Sequence, residues 1–221
     1  VITETLSSSP GLTIPDGSVV GISDGITMPA TIASITEVSV TLDIQGGFTG
    51  DLYGYLQHDS GLAILLNRSG RTGNSGAASL GYLDSGYDIT LRDSAVNGDV
   101  HGYQSIVNPA GGVLTGVWQP DGRAVSPTTV DGTEARTAML STFTGGVSDG
   151  VWTLFLADLS TGGVSVLQGW SLEITGTAVP EPGFWAGVSG TLLLGFAVVR
   201  RLGGGRVCRR PASPRRAVTG G

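Results

Sequence analysis

Apolar and polar residues alternate in short stretches along most of this chain, and near its end the alternation stops. Over residues 36–44, Val38, Val40, Leu42 and Ile44 alternate with Ser39, Thr41 and Asp43. That is the period of a strand with one face on a core and the other in water. The same period puts Leu52 and Leu56 opposite Tyr53 and Tyr55 over residues 51–57, and a further strand fits residues 62–66. Tyr87, Ile89 and Leu91 form another set; Trp152, Leu154 and Leu156 follow, then Trp170, Leu172 and Ile174. Short strands are expected at 12–20, at 26–32, around Val117 and Trp118, and at 139–144, with residues 1–10 loose. Residues 183–199 hold no charge and run through Leu192, Leu193, Leu194, Phe196, Val198 and Val199. This run sits at the lower end of the roughly 17–25 apolar residues that span a bilayer.

Turn residues punctuate the strands. Gly46 and Gly47 end the cleanest one, residues 58–61 make a turn, and 97–134 is rich in Gly and Pro. Glycine is abundant at 37 of 221 residues and lysine is absent, which argues against long surface helices. The pattern predicts an all-β fold, a jelly-roll-like β-sandwich of eight or more strands, followed by one C-terminal transmembrane helix. The expected division is a loose segment 1–11, the sandwich 12–176, a linker 177–182, the span 183–199 and a basic tail 200–221.

Charge divides the chain at the same place. All 12 basic residues are Arg; seven follow the span, beginning with Arg200 and Arg201, while all 18 acids precede it. Basic residues stay on the cytoplasmic side of a membrane, so the tail is expected inside and the acidic sandwich outside. An acidic outer domain excludes nucleic acid as a direct ligand. Such a topology also implies an export signal ahead of Val1. Cys208, the single cysteine, lies in the tail, so no disulfide is expected in the sandwich.

Catalytic signals are sparse. His58 and His101 are the two histidines, and turn positions account for them better than a triad. Gly-x-Ser-x-Gly occurs at 21–25 and 146–150 without the strand-to-helix setting of a nucleophile elbow. No catalytic residue is expected. Asn67-Arg68-Ser69 matches a glycosylation pattern, and Tyr53, Tyr55, Tyr82, Tyr87 and Tyr103 are candidates for a sugar-binding face.

Two resemblances give these pieces a context. Val179-Pro180-Glu181-Pro182, the apolar run and Arg200-Arg201, in that order, resemble the PEP-CTERM sorting signal of Gram-negative surface proteins. That resemblance implies processing by exosortase, a membrane protease-transpeptidase, and delivery to the cell envelope or exopolysaccharide matrix. The tail here runs twenty residues past the Arg pair, longer than such signals usually do.

Residues 12–176 resemble the P domain (Homo B domain) of proprotein convertases and bacterial subtilisin-like proteases. The matching pieces are Ile14-Pro15-Asp16, Phe48-Thr49-Gly50-Asp51-Leu52, Tyr87 through Ala95, Gly150 through Leu154, Ala157-Asp158 and Gly169 through Ile174. Gln45-Gly46-Gly47-Phe48 departs from the family's usual middle line. The resemblance implies a non-catalytic jelly roll, and it makes a Ca²⁺ site at Asp51, Asp93 and Asp158 an expectation. The leading reading is a non-catalytic exported surface protein. Its alternatives are the accessory domain of a subtilisin-like serine protease and a glycan-binding module of an exopolysaccharide matrix.

Overall fold

The structure is a computed structural model, and it describes residues 1–180. Its strands in chain order are β1 (Ile2–Ser8), β2 (Leu12–Ile14), β3 (Ser18–Met28), β4 (Ile32–Gly46), β5 (Leu52–His58), β6 (Gly61–Asn67), β7 (Tyr87–Leu91), β8 (Leu114–Trp118), β9 (Gly150–Asp158) and β10 (Ser165–Ala178). They form two sheets: β1-β10-β4-β7-β8, with β2 also on β10, and β3-β9-β5-β6. Pairing is antiparallel except between β7 and β8. This is an all-β two-sheet sandwich.

The alternation read from sequence decides which side chains meet between the sheets. Val38, Val40, Leu42 and Ile44 of β4 join Leu172 and Ile174 of β10 and Ile89 of β7 in one buried cluster. Trp152, Leu154 and Leu156 of β9 and Leu52 and Leu56 of β5 belong to that same cluster. Burying each large side chain contributes roughly 1.5–3 kcal/mol, so the cluster is the main source of stability. Indole N–H groups taken into it find acceptors: Trp152 Nε1 donates to the Ser148 carbonyl at 2.9 Å and Trp170 Nε1 to Asp24 Oδ2 at 2.7 Å.

Three expectations are corrected. Residues 1–10 are not loose: every residue of β1 pairs with β10, whose open edge supplies the backbone partners. The strand expected at 12–20 is divided. Pro15 has no N–H for a ladder and Gly17 takes φ +61°, so the chain turns there and crosses from one sheet to the other. The strand expected at 139–144 is a 3-10 helix, Leu140–Phe143. Asp93 imposes it from the far side of the chain: its carboxylate accepts from the N–H of Leu140 at 3.0 Å and of Ser141 at 2.7 Å.

One compact unit covers Val1–Val179, and a second begins at Pro180. No helix among the described residues is long and apolar enough to cross a membrane. The expected span 183–199, Glu181 and Pro182 of the sorting motif, Arg200 and Arg201 lie outside the described residues.

Candidate functional site

Both histidines are buried, not exposed in turns as expected. His58 ends β5 and stacks on Trp152, ring centroids 4.1 Å apart and nearly parallel at 10°. Its Nε2 donates to the Asp149 carbonyl at 2.9 Å, because a carbonyl can only accept. In the neutral ring that leaves Nδ1 to accept from the Ser60 hydroxyl at 2.9 Å, which closes the β5–β6 hairpin. The ring therefore ties the hairpin to the start of β9.

His101 lies in a network of buried charge. Nδ1 contacts Asp121 Oδ2 at 2.8 Å and Nε2 the Arg71 carbonyl at 2.9 Å. Both partners are acceptors, so the doubly protonated ring is the form that satisfies both contacts. Burial by itself would depress its pKa; the hydrogen bond and charge of Asp121 outweigh that and hold it above the usual value. Arg123 completes the network, with NH1 3.3 Å from Asp121 and NH2 2.7 Å from Asp99. Asp84 is also committed: it accepts from the Tyr103 hydroxyl, the Gln104 amide and the Gly111 N–H.

The structure splits the expected Ca²⁺ set. Asp51 and Asp158 come together because Leu52, next to Asp51, pairs with Asp158 across β5 and β9. Asp93 is elsewhere, capping the helix at Leu140. The cation beside Asp51 is already present in the chain: Arg68 NH2 lies 3.4 Å from Asp51 Oδ1 and 2.8 Å from Ser160 Oγ. Among the described residues no three His, Cys, Asp or Glu side chains converge as metal ligands. Asp51 and Asp158 supply at most four of the six to eight oxygens a calcium ion takes, and Arg68 competes for them. Burial pushes both carboxyls up, Asp158 to about 6; for Asp51, Ser160 and Arg68 offset part of that effect.

Other sequence signals resolve into packing. Asn67 of the glycosylation pattern is fully buried, its amide donating to the carbonyls of Arg123 and Val125. Ser148, at the centre of the second Gly-x-Ser-x-Gly, is buried and donates to the Pro29 carbonyl at 2.7 Å. Tyr87 and Tyr103 are core residues, and burial pushes both hydroxyls up. A hollow of about 430 Å³ between Glu37 and Asp93 has both carboxylates engaged, Glu37 by Ser94 at 2.8 Å and Asp93 by the helix cap.

The outer face of the β3-β9-β5-β6 sheet is accessible along β3, β9 and β5. Tyr53 and Tyr55 of β5 point there, and so does Phe155 of β9, which pairs with Tyr55. Tyr55 and Phe155 stack at 4.8 Å and 17°. Tyr53 meets them at steep angles, 62° to Tyr55 and 65° to Phe155, making an aromatic corner. Gly21 of β3 makes room for it: its φ is +58°, and a Cβ there would come within 2.7 Å of the Phe155 ring. Phe155 went unnamed in the sequence reading. The signal was available, since alternation places it opposite the inward Trp152 and Leu154.

The described chain is thus an all-β two-sheet sandwich with paired charges inside it and an aromatic cluster on one sheet face. No family model and no curated protein matches it. Among solved structures it is similar to a serine protease of Aeromonas sobria in complex with its chaperone: 15% identity, 81% of this chain, 28% of that chain, TM-score 0.43. It is similar also to the Aeromonas sobria serine protease on its own: 15% identity, 80% and 28% coverage, TM-score 0.42. The chain spans about 28% of the length of those chains, and nothing of their activity carries over at that level.

Proposed function

We propose that this chain is a non-catalytic accessory module of an exported protein, a P-domain-like β-sandwich that acts by contact and not by chemistry. Its partner of first choice is the catalytic domain of a subtilisin-like serine protease, carried on a longer chain or supplied separately. The observation that carries the reading is the fate of the two histidines. Each has both ring nitrogens committed to partners inside the fold, where they brace strands and loops. A triad histidine holds a serine hydroxyl on one nitrogen and a carboxylate on the other; His58 has the Ser60 hydroxyl but a backbone carbonyl opposite it, and His101 has the Asp121 carboxylate but no hydroxyl, so neither ring carries the pair. The P-domain-like residue pattern from Ile14-Pro15-Asp16 to Gly169 through Ile174 supports the choice of partner.

The tail supplies the second half of the reading. The order Val179-Pro180-Glu181-Pro182, uncharged run, Arg200-Arg201 supports sorting by an exosortase, with transient tethering to the inner membrane and release to the envelope of a Gram-negative cell. Two measurements test the whole. The purified chain is expected to show no turnover of casein or ester substrates and no labelling by a fluorophosphonate. Labelling at Ser60 would overturn the non-catalytic reading. Mass spectrometry of the mature protein is expected to find a new C-terminus near Glu181-Pro182; an intact tail in the envelope fraction would refute the sorting half.

A further inference from the structure

We propose that the outer face of the β3-β9-β5-β6 sheet binds an uncharged polysaccharide, with Tyr53, Tyr55 and Phe155 as the surface its sugar rings pack against. The inference rests on the contact-module reading above and gives it a ligand class.

Three observations select this ligand. The first is the ring arrangement. Half-buried Tyr55 and Phe155 stack, and half-buried Tyr53 stands across them at 62–65°, so three rings in two orientations adjoin on one surface. Aromatic rings offer a negative face and a positive edge, and the C–H face of a sugar is complementary to the former.

The second is the absence of charge. The outward positions of β3 from Ser23 to Thr27, of β9 from Val151 to Phe155 and of β5 from Tyr53 to Gln57 carry no ionisable group other than the two tyrosine hydroxyls. Hydroxyls and an amide surround the rings instead: Ser23, Thr153 and Gln57. These can exchange hydrogen bonds with sugar hydroxyls at little desolvation cost. The chain around this face holds five Arg against eighteen acids before the apolar run, which disfavours an anionic polymer by long-range repulsion.

The third is size. Three strands at about 4.8 Å spacing and five residues at about 3.3 Å each define a patch on the order of 200 Å². A stable protein interface needs roughly 800 Å² from each partner. The patch is too small to hold a protein by itself and large enough for a few sugar rings. A second copy of this chain or a catalytic domain would have to reach far beyond it.

The test uses the full chain in mild detergent and affinity electrophoresis with laminarin and xyloglucan as neutral probes and alginate as the anionic probe. At least one neutral probe is expected to retard the chain, with no change between low and high salt. Tyr53→Ser is expected to weaken that binding roughly tenfold, the equivalent of about 1.4 kcal/mol, while Tyr55→Phe retains it. Saturation of aromatic protons should transfer to the neutral probe by NMR, a readout that needs no variant. Migration unchanged by both neutral probes, equal binding by Tyr53→Ser, or tighter binding to alginate would each overturn the proposal. Peptidase turnover would defeat the accessory reading and leave this readout standing. Failure to bind glycan would defeat only the present inference.

Discussion

Asp158→Asn should make this protein more stable at neutral pH. Asp158 is 1% exposed at the end of β9, beside Asp51, and burial lifts its pKa from 3.8 to about 6. Asp51 and Asp16 add like charge, and the Ser160 N–H and the Ser165 hydroxyl only partly compensate. A carboxyl whose pKa is higher folded than unfolded favours the fold when protonated. Its contribution is fully present below the unfolded value of 3.8 and is lost as pH rises through about 6. A rise of about two units corresponds to about 3 kcal/mol between acid and neutral pH. Asn keeps an acceptor for the Ser160 N–H and can donate to Ser165, and it never ionises. The variant should therefore gain roughly 2–3 kcal/mol at pH 7.5 and almost nothing at pH 4, or about 5–10 °C in Tm for a domain of this size at the higher pH. Urea unfolding followed by tryptophan fluorescence at both pH values measures it. Loss of stability at pH 7.5, or an identical difference at the two pH values, would refute the argument.

Asp121→Ala should cost about 3–5 kcal/mol, because it leaves the His101 ring and Arg123 buried beside each other without their shared carboxylate; Asp121→Asn should recover part of the loss in thermal melts. Stability held by that pair should also fall as pH rises through the elevated His101 pKa, since the ring then gives up one of its two donated bonds. Gly86→Ala should destabilise by more than about 1 kcal/mol, since its φ is +81° and a Cβ would collide with the Ile44 carbonyl; circular dichroism melts read this directly. Chelator and added Ca²⁺ should leave Tm unchanged, with Arg68 already beside Asp51; a rise with Ca²⁺ would restore the calcium expectation.

Much of the fold was legible in the chain because strand periodicity is local. Val38 through Ile44 alternate with a period of two, and a chain that does so buries those residues on one face whatever its partner. The break at Pro15 and Gly17 was not legible: the strand expected at 12–20 runs through it, and only pairing with two different sheets shows that the chain turns there. β1 was missed because its pairing energy comes from the edge of β10 and not from its own composition. The 3-10 helix at Leu140 was missed because its cap, Asp93, is distant in sequence.

The amino-acid sequence by itself determined that this is a strand-built, acidic domain followed by an uncharged run and an arginine tail. It also placed Phe155 on the face away from Trp152. Only the tertiary structure decided which side chains became neighbours. Register between distant strands put Phe155 on Tyr55 and Asp158 beside Asp51, and the fold set the Arg68 guanidinium against Asp51. Side-chain direction follows from the chain's own two-residue repeat, whereas proximity follows from pairing across the sheet. A pattern along one strand carries no record of the strand beside it.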